Sequence, residues 1–242
     1  MEKQNQSRIV RIPLGRANAY FVIGEGKVLL IDTGEKGNAG KILRALENLG
    51  LSRFDLSLII LTHTHYDHCG SLKTLKDMTG AKVLVHSHEA MCLKHGYGGI
   101  PRGTNRLTKV VSLIGRTIGK RMGRYEPVSP DLVVSGVFGL EEHGVDGHVL
   151  PTPGHTPGSI SIIIRNKDAV VGDTLFNIFR KGVFPPFADD QQELLRSWLK
   201  LCDTGCEFFY PGHGTRVGID RLRQSLTLEK KRRSSPRDQG AF

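Results

Sequence analysis

Three histidines and an aspartate fall within six residues of the chain, in the stretch THTHYDHCG at residues 62–70. In an extended segment residues i and i+2 face the same side, so His63 and His65 can hold one cation. Asp67 and His68 follow a turn later, face elsewhere and can hold a second cation. Imidazole suits zinc and iron, and a carboxylate can bridge two metals. The spacing therefore predicts a metal site with room for two ions.

Further candidates stand at the ends of other strand-like segments. Asp32 follows KVLLI, His155 lies in PTPGHTPGS after GHVL, Asp173 follows DAVVG, and His213 lies in YPGHG after EFF. Side chains at strand ends gather along one edge of a sheet, where α/β proteins build their sites. We therefore expect these four residues to share one pocket with His63.

The elements that must position these residues follow from hydrophobic patterning. Nine short segments rich in Val, Ile and Leu are typical of strands: RIVRI, NAYFVI, KVLLID, LSLIIL, AKVLVH, GHVLPT, SISIII, DAVVGD and EFFYP. Helical periodicity occupies about residues 38–49, 70–78 and 190–202. Some strands are apolar on both faces, so we expect an α/β fold with helices outside packed sheets.

Five motifs together resemble the metallo-β-lactamase superfamily. They are LIDTG, THTHYDH, PTPGHTPGS, VVGDTLF and YPGHG, in the family's order, within a match from about residue 8 to 217. The resemblance implies an αββα four-layer sandwich with the site along one edge. It implies one metal at His63, His65 and His155. It also implies a second metal at Asp67, His68 and His213, Asp173 as the bridge, and Asp32 orienting the ligands from outside.

Departures from the branches of this family narrow the expected activity. Zinc β-lactamases of the common type carry cysteine at the position of Asp173, so penicillin hydrolysis is not expected as the main activity. Flavodiiron oxygen reductases have glutamate at the position of His65. Transfer-RNA 3′ processing enzymes have a further histidine motif after the last ligand, and no histidine follows His213. The pattern that remains resembles glyoxalase II-like and lactonase-like hydrolases. We do not expect the glutathione-binding domain of the former, because 29 residues follow His213. Phe176 stands where the latter have tyrosine.

The chemistry expected of such a site is hydrolysis. Two divalent ions, zinc first and iron or manganese as alternatives, would hold a bridging water and lower its pKa towards ~7. We predict cleavage of an ester-like bond, thioester or lactone, in which Asp67 passes the proton to the leaving group and Asp173 acts as the bridge. The alternatives are a phosphodiesterase or nuclease, and an iron-dependent oxygenase similar to persulfide dioxygenases. A basic binding module with an idle site is disfavoured by the intact ligand set.

Composition limits the class of protein. The chain has 242 residues, of which 38% are hydrophobic, consistent with one catalytic domain over residues 1–220. Its N-terminus has no signal-like apolar core, and no apolar run reaches membrane-spanning length. Four cysteines without a CxxC pair indicate reduced thiols. These features predict a cytoplasmic protein.

The net charge of +10 is concentrated in two places. Residues 94–126 contain eight Lys or Arg and one acidic residue. Residues 221–242 contain seven Lys or Arg and two acidic residues. The second of these is a basic tail that we expect to be partly disordered. The rest of the chain is nearly neutral, so the positive charge belongs to these two segments and not to the body of the domain. The expected partner is a small, anionic substrate; a nucleic acid or an anionic membrane is not favoured, and the oligomeric state is left open.

The first basic segment is a helical insert at about residues 95–127. Helical spacing relates Leu107, Val111, Ile114, Ile118 and Met122, with the charged side chains away from that stripe. We favour a helix that packs this stripe over the site. The alternative is a cationic lid that recruits anionic substrates or lies on an anionic membrane. Arg180 and Lys181 are further candidates to meet a substrate carboxylate.

Overall fold

Two six-stranded sheets form the centre of the fold. The computed structural model describes residues 7–118, 123–178 and 182–234. The first sheet contains, side by side in this order, β1 (Arg8–Pro13), β2 (Asn18–Ile23), β3 (Val28–Ile31), β4 (Leu56–Ile60), β5 (Lys82–His86) and β6 (Leu132–Val134). The second contains β7 (Phe138–Gly139), β8 (Gly147–Pro151), β9 (Ile160–Ile164), β10 (Asp168–Asn177), β11 (Phe208–Gly214) and β12 (Val217–Gly218), also as neighbours in chain order.

Helices cover the outer faces of both sheets. They are α1 (Ala39–Glu47), α2 (Tyr66–Cys69), α3 (Leu72–Thr79), α4 (Ser87–His95), α5 (Arg106–Ile118), α6 (Gln191–Asp203) and α7 (Ile219–Ser234). α1, α3 and α4 pack on the first sheet, whereas α6 and α7 pack on the second. The expected αββα sandwich is therefore confirmed.

The strand pattern explains the four layers. Successive residues of a strand point to opposite faces. In β2, Tyr20 and Val22 are buried between the sheets, whereas Phe21 is buried beneath the helices. In β9, Ile162 faces the other sheet and Ile163 faces α6 and α7. Strands that must fill two cores carry apolar residues at every position, as the uninterrupted runs of Val, Ile and Leu predicted.

Parallel pairing brings the ends of several strands to the same edge. β3, β4, β5 and β6 are parallel neighbours, with Leu30 beside Ile59 and Ile59 beside Val83. β10 and β11 are also parallel, while the other pairs of the second sheet are antiparallel. The nine predicted strands are present. β6, β7 and β12 were not predicted because each has only two or three residues.

The C-terminal segment differs from expectation. The tail expected from residue 221 begins inside α7, and Leu222 and Leu226 of this helix are buried against the second sheet and α6. These two leucines, with the partly buried Ile219, hold a largely polar helix on the domain. The segment is therefore helical as far as Ser234, and residues 235–242 lie outside the described part of the chain. Among the described helices, none is long and apolar enough to cross a membrane.

The core beneath α6 provides a test of the layer arrangement. Trp198 is fully buried, donates from Nε1 to the carbonyl of Thr174 at 2.7 Å, and packs edge-on against Phe184. Replacing Trp198 by Ala should lower the free energy of unfolding by about 3–5 kcal/mol, because it leaves a cavity and an unpaired carbonyl. Leu199→Ala, at a 40% exposed neighbour, should cost well under half of that. Urea unfolding followed by circular dichroism measures both, and equal losses would contradict this packing.

Candidate metal centre

The loop after β4 supplies four of the candidate ligands. His63 and His65 precede α2 in extended backbone, and His65 is the N-cap of that helix. Asp67 and His68 lie in the single turn of α2, so their side chains leave the loop in another direction. All three histidines are buried. The loop thus presents two pairs of candidate ligands, one before α2 and one within it.

The second sheet supplies the other candidates. His155 lies in the loop between β8 and β9, Asp173 lies within β10, and His213 is the penultimate residue of β11. Asp173 was expected at a strand end, but β10 continues to Asn177. The side chain reaches the site because the register with β11 shifts on both sides of Gly172, whose φ is +50°. A Cβ on Gly172 would lie 2.4 Å from Thr62 Oγ1, so glycine is required where the two halves meet.

The structure brings all seven predicted side chains into three overlapping groups. In each group, one ligand atom per residue lies within 4.8 Å of the others. The groups are His63, His65 and His155; His63, His68 and Asp173; and Asp67, His68 and His213. The Asp173 carboxylate lies between the two ends of this array. Its Oδ1 is 3.3 Å from His68 Nε2, and its Oδ2 is 3.3 Å from His213 Nε2 and 3.6 Å from His155 Nε2.

The donor atoms fit divalent ions. His155 Nε2 lies 2.9 Å from His65 Nδ1, and His68 Nε2 lies 3.4 Å from His213 Nε2, so ring nitrogens face one another. His63 Nε2 is buried and has no hydrogen-bond partner among the residues that the structure describes. A buried polar atom without a partner is costly unless something binds it. Imidazole nitrogens and carboxylate oxygens at these positions form the donor set that zinc or iron prefers.

The remaining ring nitrogens are held by the surrounding protein. His155 Nδ1 donates to the carbonyl of Phe187 at 2.9 Å, and His213 Nδ1 donates to that of Arg16 at 2.8 Å. His63 Nδ1 is 3.0 Å from Thr62 Oγ1. Each of these bonds fixes the tautomer that leaves the other nitrogen free to face the centre of the site.

Asp32 organises the site from outside the three groups. Its Oδ2 lies 2.8 Å from His68 Nδ1 and also accepts from the Thr62 hydroxyl, while Oδ1 accepts from the Thr62 amide at 2.8 Å. Asp32 itself has a φ of +60°, a conformation uncommon for a residue other than glycine. The carboxylate therefore holds both His68 and the start of the histidine loop.

Glu89 of α4 is a second support, and one that was not predicted. Its Oε2 accepts from the amide of Thr64 at 3.1 Å and from the Thr64 hydroxyl, and the side chain is buried. Glu89 ends the sequence VHSHE, in which His86 and His88 repeat the H-x-H spacing of the histidine loop. His86 caps α4 by accepting from the His88 amide, and His88 lies near the carbonyl of Pro157. Neither histidine belongs to the three groups.

The pKa values divide the cluster into neutral and charged parts. Burial lowers the pKa of His65 to about 3 and that of His63 well below its usual range. Burial alone would raise the pKa of Asp67, but hydrogen bonding to His213 and the charge of His68 lower it to about 2. Burial likewise disfavours a charged His213, yet Asp173 and Asp67 raise its pKa to about 9. These shifts favour a carboxylate at Asp67 and an imidazolium at His213, so that opposite charges lie side by side in the cluster.

A cavity of about 530 Å³ opens onto the three groups. Its floor includes His65, Asp67, His155, Asp173 and His213, and apolar side chains form most of the remaining wall. Phe176 lies in that wall and stacks on His213 with ring centroids 4.5 Å apart. The position at which lactonase-like hydrolases carry a tyrosine hydroxyl therefore presents only an aromatic ring. Arg180 and Lys181 lie outside the described residues.

The insert helix α5 covers the cavity with a face other than the one expected. Leu107, Val111 and Ile114 are 73%, 51% and 53% exposed, so the interpretation of a packed apolar stripe is wrong. The buried side is formed by small residues: Ser112 donates to the carbonyl of Pro101 at 2.6 Å, and Gly115 approaches Ile100. Small side chains let α5 approach the segment beneath it closely, which the larger residues of the stripe could not do. The side chains of Ile118 and Met122 lie outside the described part.

Comparisons with known proteins identify the family of this chain. The sequence model of the metallo-beta-lactamase superfamily matches residues 12–213, and the chain belongs to that superfamily. A probable metallo-hydrolase of Methanocaldococcus jannaschii is 30% identical over 82% of this chain and 87% of its own. A metallo-beta-lactamase family protein of Thermus thermophilus, known from its crystal structure, has a TM-score of 0.67 at 25% identity over 93% of this chain and 78% of its own.

Two further relatives have names that state an activity. A hydroxyacylglutathione hydrolase of Cereibacter sphaeroides is 32% identical, over 78% of this chain and 60% of its own length. An atrochrysone carboxyl ACP thioesterase of Aspergillus fumigatus is 23% identical, over 92% of this chain and 58% of its own. The chain thus belongs to a superfamily of metallo-hydrolases, as its five motifs indicated.

Asp32 should influence metal affinity without touching a metal. Asp32→Asn removes the charge opposite His68 Nδ1 and places an amide donor beside it, which should weaken zinc binding about 10–100-fold. Asp77→Asn removes a carboxylate that pairs with Lys73 at the surface and should leave affinity unchanged. Competition with a chromophoric chelator measures both affinities. Equal affinity in Asp32→Asn and the parent chain would contradict the assigned role.

Metal affinity should also rise with pH. The pKa of His213 is about 9. Burial opposes a charged His68, but Asp173 and Asp32 raise the pKa of this residue as well. Both histidines must therefore lose a proton before they bind an ion. Between pH 7 and about 9 the affinity should therefore increase, by roughly one to two powers of ten per pH unit. Calorimetric titration with zinc in buffers of different ionisation enthalpy counts the protons released. Proton uptake, or no release at pH 7, would contradict these protonation states.

Proposed function

We propose that this chain is a metal-dependent hydrolase that cleaves an ester-like bond at a dinuclear site. The observation that carries the proposal is the position of the Asp173 carboxylate, which lies 3.6 Å from His155 Nε2 at one end of the array and 3.3 Å from both His68 Nε2 and His213 Nε2 at the other. In this assignment one ion takes His63, His65 and His155, and the other takes Asp67, His68 and His213. Asp173 contributes to both, and zinc is the proposed ion, with iron and manganese as alternatives.

Two divalent ions would supply a water of pKa near ~7 and polarise a carbonyl group of the substrate. The residues of the chain then handle the proton. Asp67 lines the cavity, and its low pKa keeps it ionised at neutral pH. Its carboxylate can accept a proton from the attacking water and deliver it to the leaving atom. The new carbon–oxygen bond forms as the bond to the leaving sulfur or oxygen breaks, giving a carboxylic acid and a thiol or alcohol.

The wall of the cavity favours an apolar acyl group. Ile100, Val111, Phe176, Ile178 and Phe187 surround the route to the floor. Such a lining suits the hydrocarbon part of an ester better than the charged backbone of a phosphodiester. The two relatives named for hydrolysing hydroxyacylglutathione and an acyl carrier thioester support a thioester as the first choice. With Phe176 in place of a hydroxyl-bearing residue, a lactone is the second choice.

The bridging residue is the sharpest point at which to test the proposal. Asp173→Ala should lower zinc content below the ~2 ions per chain expected of the parent, and lower thioester turnover at least about 100-fold. His88→Ala is the matched control, because His88 is in none of the three metal groups and its ring lies against the neighbouring loop. Elemental analysis and a thiol-release assay measure both properties. Full metal content and turnover in Asp173→Ala would exclude the dinuclear assignment.

Chemical modification separates this mechanism from its alternatives. Chelation should abolish hydrolysis, whereas alkylation of thiols should not, since burial raises the pKa of Cys69 and keeps it unreactive beside the histidine loop. Oxygen consumption with a persulfide substrate, without any ester hydrolysis, would instead identify an iron-dependent oxygenase. Phosphodiester cleavage without thioester cleavage would identify a nuclease.

A further inference from the structure

The outer face of α5 is an exposed apolar surface. We define this face by Leu107, Val110, Val111, Leu113 and Ile114, each of which is 51–73% exposed. Five large apolar side chains on one 13-residue helix are unusual for a surface that meets only water. The helix could have turned this stripe inward, as its periodicity suggested, but Ser112 and Gly115 occupy the inner side instead.

Positive charge borders this face. Arg106, Lys109 and Arg116 belong to the same helix, which contains no acidic residue. Arg102 precedes it and lines, together with Lys109 and Arg116, a groove beside the helix. Asp189 and Asp190 form the far side of this groove, and Asp189 pairs with Arg116 at 3.7 Å, so Arg106 and Lys109 are the cations that carry the argument. An exposed apolar stripe flanked by Lys and Arg is the pattern of helices that lie in the interface of a bilayer.

We propose that the outer face of α5 docks the protein on an anionic membrane surface. The apolar side chains would enter the headgroup region, and the neighbouring cations would meet lipid phosphates. A second copy of this chain fits the face less well. A symmetric contact would bring two basic helices together in a protein that already carries a net charge of +10.

The docking face and the cavity share a boundary. Val111 belongs to the outer face and also lines the cavity, and Ile178, which is 53% exposed, lines the cavity as well. An acyl chain drawn from the bilayer would therefore pass along apolar side chains to the floor of the site. This step rests on the proposed function, and it specifies the substrate class as a lipid-like acyl ester or thioester. Membrane docking itself does not depend on hydrolysis.

Co-sedimentation with vesicles tests the docking directly. The metal-loaded, full-length protein should sediment with vesicles of phosphatidylcholine and phosphatidylglycerol, and much less with phosphatidylcholine alone. The double variant Val110→Ser/Ile114→Ser should reduce the partition coefficient about tenfold. Lys109→Gln/Arg106→Gln should also reduce it, and the effect should shrink at high salt because the Debye length falls from about 8 Å towards 3 Å.

Matched controls locate the effect on α5. Leu228→Ser changes a 60% exposed leucine on the other basic helix, and Lys41→Gln/Lys200→Gln removes two exposed cations from other helices. Both controls should bind vesicles like the parent chain. If the parent stays in the supernatant at low salt, or if the controls lose as much binding as the α5 variants, the proposal is wrong. A dimer that becomes a monomer in the α5 apolar variant, measured by light scattering, would assign the face to a second copy and also overturn it.

A water-soluble thioester distinguishes docking from catalysis. Val110 and Ile114 do not line the cavity, so their double variant should hydrolyse that substrate at the parental rate while losing its preference for acyl substrates presented in vesicles. A parent chain that binds vesicles but hydrolyses no ester would leave docking in place and refute the proposed function alone.

Discussion

A buried line of charges, from Asp32 through His68 to Asp173, joins the two halves of the molecule. His68 is fully buried, with Nδ1 2.8 Å from Asp32 and Nε2 3.3 Å from Asp173. Asp32 follows β3 of the first sheet, whereas Asp173 lies in β10 of the second. Because a buried charge is tolerable only when it is paired, neither sheet can shift relative to the other without exposing or isolating a carboxylate. Thr62 reinforces the junction, since its carbonyl accepts from Ile160 of β9 at 2.9 Å.

Two metal ions would resolve the electrostatic conflict that this line creates. Five imidazoles and two carboxylates converge in a largely buried space, where neutral histidines leave the carboxylates unbalanced and charged histidines repel one another. Burial lowers the pKa values of His63 and His65, whereas the neighbouring carboxylates raise those of His68 and His213. Cations at the centre would balance the carboxylates and leave all five imidazoles neutral. The same constraint that holds the sheets together would thus favour the binding of divalent ions at this site.

The centre of the fold could be predicted because its determinants are local. A strand that fills two cores is apolar at every position, and the H-x-H-x-D-H spacing sets the directions of its side chains whatever surrounds them. The orientation of α5 could not be predicted in this way. Helical periodicity identifies an apolar stripe but does not say which face of the helix packs on the protein. Here the small residues Ser112 and Gly115 let the helix pack more closely than the larger side chains of the stripe would. α7 was missed because two buried leucines among many charges give almost no periodic signal. Glu89 was missed because Thr64, which it supports, lies 25 residues away.

The insert and the histidine loop are mechanically connected through backbone contacts. A Cβ added to Gly98 would lie 1.9 Å from the carbonyl oxygen of Thr64, so the start of the insert rests directly on the loop that carries His63 and His65. Tyr97 pairs with Arg124, which closes the insert at its base, and Gly103 pairs with Phe187 beside His155. The insert is therefore fastened at both ends to the residues around the site. Substitutions on the exposed outer face of α5 need not disturb the histidines, whereas a side chain at Gly98 would displace the loop that carries them.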